Sequence, residues 1–596
     1  MEIKELIPNL NPGNWIEQYL NTYGIKDTQE YLYPTFKYVE SPKVYDNMQE
    51  AYELLMESIK NHKNIGIVQD CDVDGILSAY LMYKTIHELT LPFSNSLFKD
   101  LQVYFHSDKK HGITENVIKW VLENDINLLI VPDAGSNDYI QQQDLNFLNV
   151  DIIILDHHKI EKNKSDYKSN YKTIVISNQQ GWVKNKALSG TGVVSKFIKY
   201  IDMQEGSKTS AFFADLVALS LVSDMCDMTS QENRSFLLFG LSKINNPFFI
   251  YLLENFVYHK DDDGKLLINQ YTLGFDICPY LNAVSRGKNQ ELKKELFYAF
   301  CGLVYQPDKT FKEYTSMEEY EPLLGRLKEE RAYQDKMVDK ALKDGEICVV
   351  LSCNMVSVLV IMILKDADIY PYTGLIANKL RRAHSCSAFV IHESLTESGK
   401  YTGSCRAEIN TLKLCIESGL FELASGHDFA HGIIFKKDNL QAIKDYFANK
   451  CADQEEYKIP VVKTFLLDYE DIPKSLFGFA DEWEFLWNST FVKPIFNIDN
   501  IHVNSQDIQV IGKDKNVIKF KKDGIEFIKF KVTEDEKAEL FLEEDKNLII
   551  NAICNLTKNE WHGRITLQAV IEIMEIDYKI DEEEPQKILT WEDVFG

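Results

Sequence analysis

Asp70, Asp72 and Asp74 stand at alternate positions in VQDCDVDG, with Gly75 after them. Carboxylates spaced by two on a chain leaving a strand project together, and oxygen donors so gathered hold hard divalent cations such as magnesium or manganese. Taken alone, such a run also fits a solvated acidic turn or a helix N-terminus that favours negative charge. Two further runs decide against that. Asp133 ends INLLIVPD, and Asp156, His157 and His158 end VDIIILDHH. Carboxylate beside imidazole suits manganese or magnesium better than structural zinc, which favours cysteine. A fourth acid, Asp224 in LVALSLVSD, is followed by Glu232–Arg234 and says little by itself.

Each of the first three runs directly follows a short apolar segment of buried-strand type: IGIV, INLLIVP and VDIIIL. With LQVYFH, NVIKWVLEN, KTIVISN, GTGVVSKFIKYI and FFADLVALSLVSD, strands alternate with helices. That alternation predicts an α/β fold with a parallel sheet covered on both faces. The acids then meet in the crevice outside the carboxyl ends of the strands, where such sheets bind ligands. Ser316 to Lys343 is charged and helical, suiting a connecting helix, and a second lobe starts at EICVVLS. From about Phe491 to Tyr578, short β-branched runs between Asp, Asn, Gly and Lys turns predict a small antiparallel barrel.

With 596 residues, 45% hydrophobic and 26% charged, the chain is expected to build several cores. Its 11 cysteines are scattered without a CxxC pair, which suits reduced thiols. No apolar run of about 18 residues spans a bilayer and the N-terminus lacks signal-peptide order, so a cytoplasmic protein without membrane contact is expected. A net charge of −26 excludes a broadly basic nucleic-acid-binding surface and leaves room only for a local groove. Lys513, Lys515, Lys519, Lys521 and Lys522, interleaved with Phe520, fit backbone attraction and base stacking on a single strand. They fit a solvated strand face equally well.

In order, DCDVDG, VPDAG, LDHH and LVSD resemble the motifs of the DHH phosphoesterases. The likeness narrows to the RecJ single-strand-specific exonucleases and spans roughly residues 30 to 575. SNQQ with LSGTGVVSKF, CPYLNAVSRG, GLIANKL, TGSCR, ASGHDFAHG, KPIFNIDNIHV and LTKNEWHGRITLQAVIEI resemble that family's later landmarks. The resemblance implies an entry segment (1–45), a DHH catalytic domain (46–310), a connecting helix (311–345), a DHH-associated substrate-binding domain (346–455), and an oligonucleotide-binding-fold domain with an acidic tail (456–596). It implies two divalent ions, manganese or else magnesium. Asp72 and Asp133 would hold the first, and Asp74, Asp133, His157 and Asp224 the second. Asp70 and Asp156 would orient ligands, and His158 and His427 would face the scissile phosphate. Arg286, Ser404, Arg406 and Lys379 would form a pocket for a terminal 5′-phosphate.

The sequence departs from the family in VPDAG, in ASGH where Gly-Gly-His is usual, in Lys379 where relatives carry Arg, and in FHSDKKHG, where Lys109 and Lys110 stand in for a gate arginine. None of these is a proposed metal ligand. The implied activity is 5′-to-3′ degradation of single-stranded DNA, or of RNA, with a single-strand-binding protein as a partner. Competing expectations are a phosphodiesterase of short oligoribonucleotides or cyclic dinucleotides, and a non-catalytic scaffold of the same fold.

Overall fold

In the computed structural model, the structure describes residues 5–7 and 13–578 apart from 92–100, 107–109, 161–171, 259, 261–263, 307–309, 352–356, 385, 408, 428, 451–462, 479–482, 484–485, 488–492, 513–514, 543–545 and 562–563. Contacts divide it into two units, one of 29–460 with 488–491, the other of 1–28 with 461–487 and 492–596.

The first unit opens with a five-stranded sheet in the order Leu101–Phe105, Ile65–Gln69, Leu128–Pro132, Asp151–Asp156, Thr173–Ser177, every pair parallel. Alternate side chains of its strands enter different cores, as a period of two requires. Ile65, Ile67, Leu128, Ile130, Ile153 and Leu155 pack with the helices Met48–Lys60, Val73–Thr90, Gly190–Glu205 and Ala214–Ser223. Val68, Leu129, Val131, Ile152 and Ile154 pack on the other face, with Val117, Val121 and Leu145 from the helices Glu115–Glu123 and Tyr139–Phe147. A sheet covered on both faces leaves only its ends open, so polar groups cluster at the carboxyl ends.

The helix Glu321–Asp344, 24 residues long, leads from this domain into the second lobe. There a six-stranded sheet runs in the order Leu423–His427, Ala430–Lys436, Lys400–Arg406, Ser387–Glu393, Ser357–Leu364, Glu346–Leu351. Only Ser357–Leu364 and Ser387–Glu393 are parallel neighbours in it. The helix Thr373–His384 covers one face and Leu440–Lys450 the other. Lys288, in the loop after the helix Cys278–Ser285 of the first domain, bonds Asp368 of this lobe at 3.1 Å.

The second unit is an eight-stranded sheet whose strands run Glu5–Ile7, Lys463–Asp468, Ile495–Asn504, Asn547–Trp561, Arg564–Tyr578, Ile525–Phe530, Val517–Lys522, Gln509–Ile511. It is mixed, not purely antiparallel. Glu5–Ile7 with Lys463–Asp468, Lys463–Asp468 with Ile495–Asn504, and Ile525–Phe530 with Arg564–Tyr578 are parallel. Local hairpins can only give antiparallel pairs; the parallel pairings come from chain segments far apart in sequence, which no local pattern announces. Among the described residues no single helix is long and apolar enough to cross a membrane.

Candidate metal centre and phosphate-facing cleft

Asp70 follows the strand Ile65–Gln69 and is 2% exposed. Its carboxylate accepts from the Gly112 amide at 3.2 Å and bonds Nδ1 of His111 at 2.6 Å. Asp72 caps the helix Val73–Thr90, accepting from the Gly75 amide at 3.1 Å. The glycine is required by space, since a Cβ there would lie 2.6 Å from Cβ of Asp70. Asp74 sits in the first helical turn and faces the start of another helix, Gly190–Glu205. It accepts from the Gly190 amide at 2.7 Å, the Thr191 amide at 2.9 Å, the Thr191 hydroxyl at 2.6 Å and the Ser220 hydroxyl at 2.7 Å. The amides at that helix start and the two hydroxyls hold the carboxylate in place.

Asp133 ends the strand Leu128–Pro132 with φ of 68°, in the left-handed region a non-glycine residue seldom adopts. Its Oδ1 is buried with no hydrogen-bond partner among the described residues. His157 Nε2 lies 3.2 Å from that oxygen, 3.8 Å from Oδ2 of Asp224 and 4.0 Å from Oδ2 of Asp74. Asp224, at the end of the helix Ala214–Ser223, thus joins the strand-borne groups. Donor atoms of Asp74, His157 and Asp224 lie within 4.8 Å of one another, as do those of Asp70, Asp72 and Asp133, and of Asp133, His157 and His158.

The electrostatics are those of a cation site. Burial, then repulsion from Asp74, Asp72, Asp70 and Asp224, pushes the Asp133 carboxyl well above the usual range. Asp224 is pushed up to about 6, mainly by burial. A buried lone pair without a partner, among acids that repel one another, fits divalent cations and fits little else. Asp156 departs from this pattern. It accepts from the amides of Ser136 at 3.0 Å, His157 at 2.7 Å and His158 at 3.1 Å, and bonds His158 Nδ1 at 2.8 Å. Burial alone would raise Asp156, but the His158 imidazole holds it below the carboxylate range, and Asp156 in turn lifts His158 to about 9 against its own desolvation. Asp156 is therefore a fixed anion that orients the loop.

Arg286 brings Nη2 to 3.5 Å from Oδ2 of Asp72. Across the cleft, Arg406 on the strand Lys400–Arg406 is held down to about 10 by burial and then by the charges of Arg286 and Arg381. Nη1 of Arg406 donates to the Cys405 carbonyl at 2.7 Å, and among the described residues it forms no ion pair. Its guanidinium lies over Gly374, where a Cβ would stand 2.8 Å from Nη2. The Ser404 hydroxyl meets that of Thr373 at 2.9 Å. Two guanidiniums near enough for their charges to act on one another suit an anion that bonds both.

Lys379 turns instead to Asp339 at 3.0 Å, and Arg381 is the cation of that helix whose charge reaches Arg406. Lys110 is exposed. Lys109 lies outside the described residues, as does the side chain of His427, which ends the strand Leu423–His427. Sequence reasoning did not single out His111, Arg381, Ser220 or the Gly190 and Thr191 amides. His111 follows the two lysines in KKHG, and Ser220 lies in the small-residue helix leading to Asp224.

In the second unit, Phe520 is 2% exposed and stacks on Phe527 at 4.9 Å, so it packs the core and is not a platform for bases. Lys519 and Lys521 both face Glu526, at 2.8 and 3.7 Å, and Lys522 lies over the Tyr469 ring. Lys515 is exposed, and Lys513 lies outside the described residues.

Residues 64–221 match the DHH family, N-terminal domain, and residues 487–573 match the RecJ OB domain. The chain is 28% identical, over 94% of its length and 95% of the relative's, to the SPbeta prophage-derived protein YorK of Bacillus subtilis (strain 168), named for a single-strand DNA-specific exonuclease. It is 24% identical to the single-stranded-DNA-specific exonuclease RecJ of the same organism, over 79% of this chain and 56% of that one. Among solved structures, RecJ of Thermus thermophilus in complex with Mn2+ superposes with a TM-score of 0.69 over 96% of this chain and 79% of that one, at 17% identity. Its complex with Mg2+ gives 0.65 over 96% and 78%, at 16% identity. With the DHH motifs at the carboxyl ends of one sheet and both family models matched in order, residues 64–221 form a DHH-type N-terminal domain and residues 487–573 a RecJ-type OB domain, and the chain along most of its length is similar to the RecJ exonucleases.

Proposed function

We propose that the chain is a metal-dependent exonuclease that hydrolyses single-stranded DNA from the 5′ end and releases 5′-mononucleotides. The observation that carries this reading is the buried Oδ1 of Asp133, which accepts no hydrogen bond among the described residues, amid Asp72, Asp74, His157 and Asp224. Asp72 and Asp133 would hold one ion, and Asp74, Asp133, His157 and Asp224 the other, with manganese or magnesium suited to this donor set. When bound, such ions neutralise the charge developing on a phosphodiester and activate the attacking water. Relatives named as single-strand DNA exonucleases and a Mn2+-bound fold relative support the same chemistry.

The protein's own groups do the rest. His158, lifted to about 9, is cationic at neutral pH and can donate a hydrogen bond to a phosphate oxygen. Asp156 fixes the imidazole by bonding Nδ1. Arg286 and Arg406 form a guanidinium pair fit to bind a terminal 5′-phosphate by bidentate bonds, and Thr373 and Ser404 add hydroxyls. An end group so held sets the direction of digestion. The exposed lysines of the second unit would bind single-stranded nucleic acid through its backbone.

The test is digestion, with Mn2+, of end-labelled single strands of DNA and RNA carrying or lacking a 5′-phosphate. Label released first from the 3′ end would reverse the assignment of Arg286 and Arg406. Activity confined to dinucleotides would replace the exonuclease by a small-substrate phosphodiesterase, and inactivity on every substrate would leave a scaffold.

A further inference from the structure

Glu232, Asn233 and Arg234 lie near the start of the helix Gln231–Ser242 and are 3%, 0% and 1% exposed. Polar groups buried this deeply need partners, and theirs include two loops that lead to the candidate metal centre. The Asn233 side-chain amide donates to the Ala187 carbonyl at 2.8 Å and to the Asp227 carbonyl at 2.9 Å. Ala187 stands three residues before Gly190, which meets both Asp74 and Asp133, and Asp227 stands three residues after Asp224. One side chain thus bridges the two loops.

The bridge is itself held. The Asn233 oxygen accepts from Nδ2 of Asn185 at 2.7 Å, and the same Nδ2 donates to Glu232 at 3.0 Å. Glu232 also accepts from the Glu40 amide at 2.8 Å and pairs with Lys196, which is 2% exposed. Lys196 donates in turn to the Glu40 carbonyl at 2.7 Å, and the Glu40 carboxylate accepts from the Lys184 and Asn185 amides at 3.0 and 3.2 Å. Arg234 lies over the ring of Tyr31, whose hydroxyl donates to the Met228 carbonyl at 2.6 Å.

We propose that Asn233 is a positioning residue for the metal centre: by tying the loop that ends at Gly190 to the loop that starts at Asp224, it fixes the spacing of Asp224 from Asp74 and Asp133 before a cation binds. This rests on the two-ion reading of those acids. Like charges gathered at one site repel, so acids on separate elements keep their spacing only while the backbone that carries them is held. The Asn233 bonds go to that backbone and not to the ligands. Replacing a buried ion pair by apolar groups is often neutral or stabilising, so what Glu232 and Lys196 contribute is a fixed geometry around Asn185 and Asn233.

Mn2+ affinity is measured by calorimetry on the intact metal-free protein, at a temperature where circular dichroism shows each variant folded. Asn233→Ala should bind Mn2+ roughly 10-fold more weakly or worse, the loss expected when groups that orient metal ligands are removed. Val117→Ala, which opens a cavity in the core on the other face of the sheet, should lose stability and bind Mn2+ as the wild type does. Asn185→Ala removes the donor that Asn233 and Glu232 share and should weaken binding in the same direction, which decides the matter if Asn233→Ala does not fold. Wild-type affinity in the Asn233 and Asn185 variants, or an equal loss in Val117→Ala, would overturn the proposal and leave the two-ion reading standing. A wild type that binds no Mn2+ would overturn both. On single-stranded DNA the Asn233→Ala defect should fall on kcat with KM for the strand little changed; a rise in KM alone would place Asn233 in strand binding and overturn its positioning role.

Discussion

Gly190 faces the carboxylate of Asp133 so closely that a Cβ at this position would stand 2.1 Å from Oδ1. The same residue donates its amide to Asp74 at 2.7 Å, so one glycine sets both acids. Gly190→Ala should displace Asp133 and cost roughly 100-fold or more in Mn2+-dependent cleavage, since misplacement by about 1 Å carries that penalty. The variant should still fold, and circular dichroism beside single-turnover rates separates the two effects. Near-normal activity would refute the assignment of Asp133 as a metal ligand.

Asp133 itself separates stability from function. Its carboxyl is raised above the value it has in an unfolded chain, so its ionisation weakens the metal-free fold as pH climbs past the unfolded value of about 4. Asp133→Asn should therefore raise the metal-free Tm by a few degrees at neutral pH, for roughly 1 kcal/mol. It should abolish cleavage and most of the Mn2+-induced rise in Tm. A lower metal-free Tm with a normal Mn2+ shift would contradict the assignment.

Cation binding should release protons, because burial pushes the Asp224 carboxyl up to about 6 and burial with neighbouring acids holds Asp133 well above the usual carboxylate range. Mn2+ affinity should rise with pH through 6 and go on rising towards neutrality. Calorimetry at one pH in two buffers of different ionisation enthalpy measures the protons released. A release near zero at pH 6 would exclude these two carboxylates as ligands.

Arg406 carries the end-group reading. Arg406→Ala should reduce the advantage of 5′-phosphorylated over 5′-hydroxyl strands by roughly 10- to 100-fold, the loss expected for hydrogen bonds to a charged group at about 1.5–3 kcal/mol. Arg406→Lys should restore only part of it, as a point charge lacks the fork. Lys379→Ala, which breaks the contact with Asp339, should leave the advantage intact.

Phe520 tests the second unit. Phe520→Ala should destabilise it by about 3–5 kcal/mol, as loss of a buried ring does, and affinity for long single strands should fall only as far as folding fails. A stable variant with selectively weakened binding would return Phe520 to the base-stacking role that its spacing among lysines suggested.

The sequence by itself determined the acids and the sheet that presents them. Each run of Asp70–Asp74, Asp133 and Asp156–His158 follows an apolar strand, and a parallel sheet buried on both faces can only collect such groups at its carboxyl ends. What it left open depends on contacts between segments remote in the chain. The Gly190 and Thr191 amides on Asp74, the His111 imidazole on Asp70 and the Arg381 charge near Arg406 arise from packing between helices and loops. Lys379 and Arg381 lie two apart on one helix and therefore point to different sides of it; only the neighbouring helix, with Asp339, decides which of them faces the cleft. Phe520 between lysines reads alike on a buried and a solvated strand face, and the facing Phe527 decided which it is. The parallel pairing of Glu5–Ile7 with Lys463–Asp468 joins the start of the chain to a segment far along it, a choice made by tertiary packing, since hydrophobic period fixes a strand's faces and says nothing of its partner.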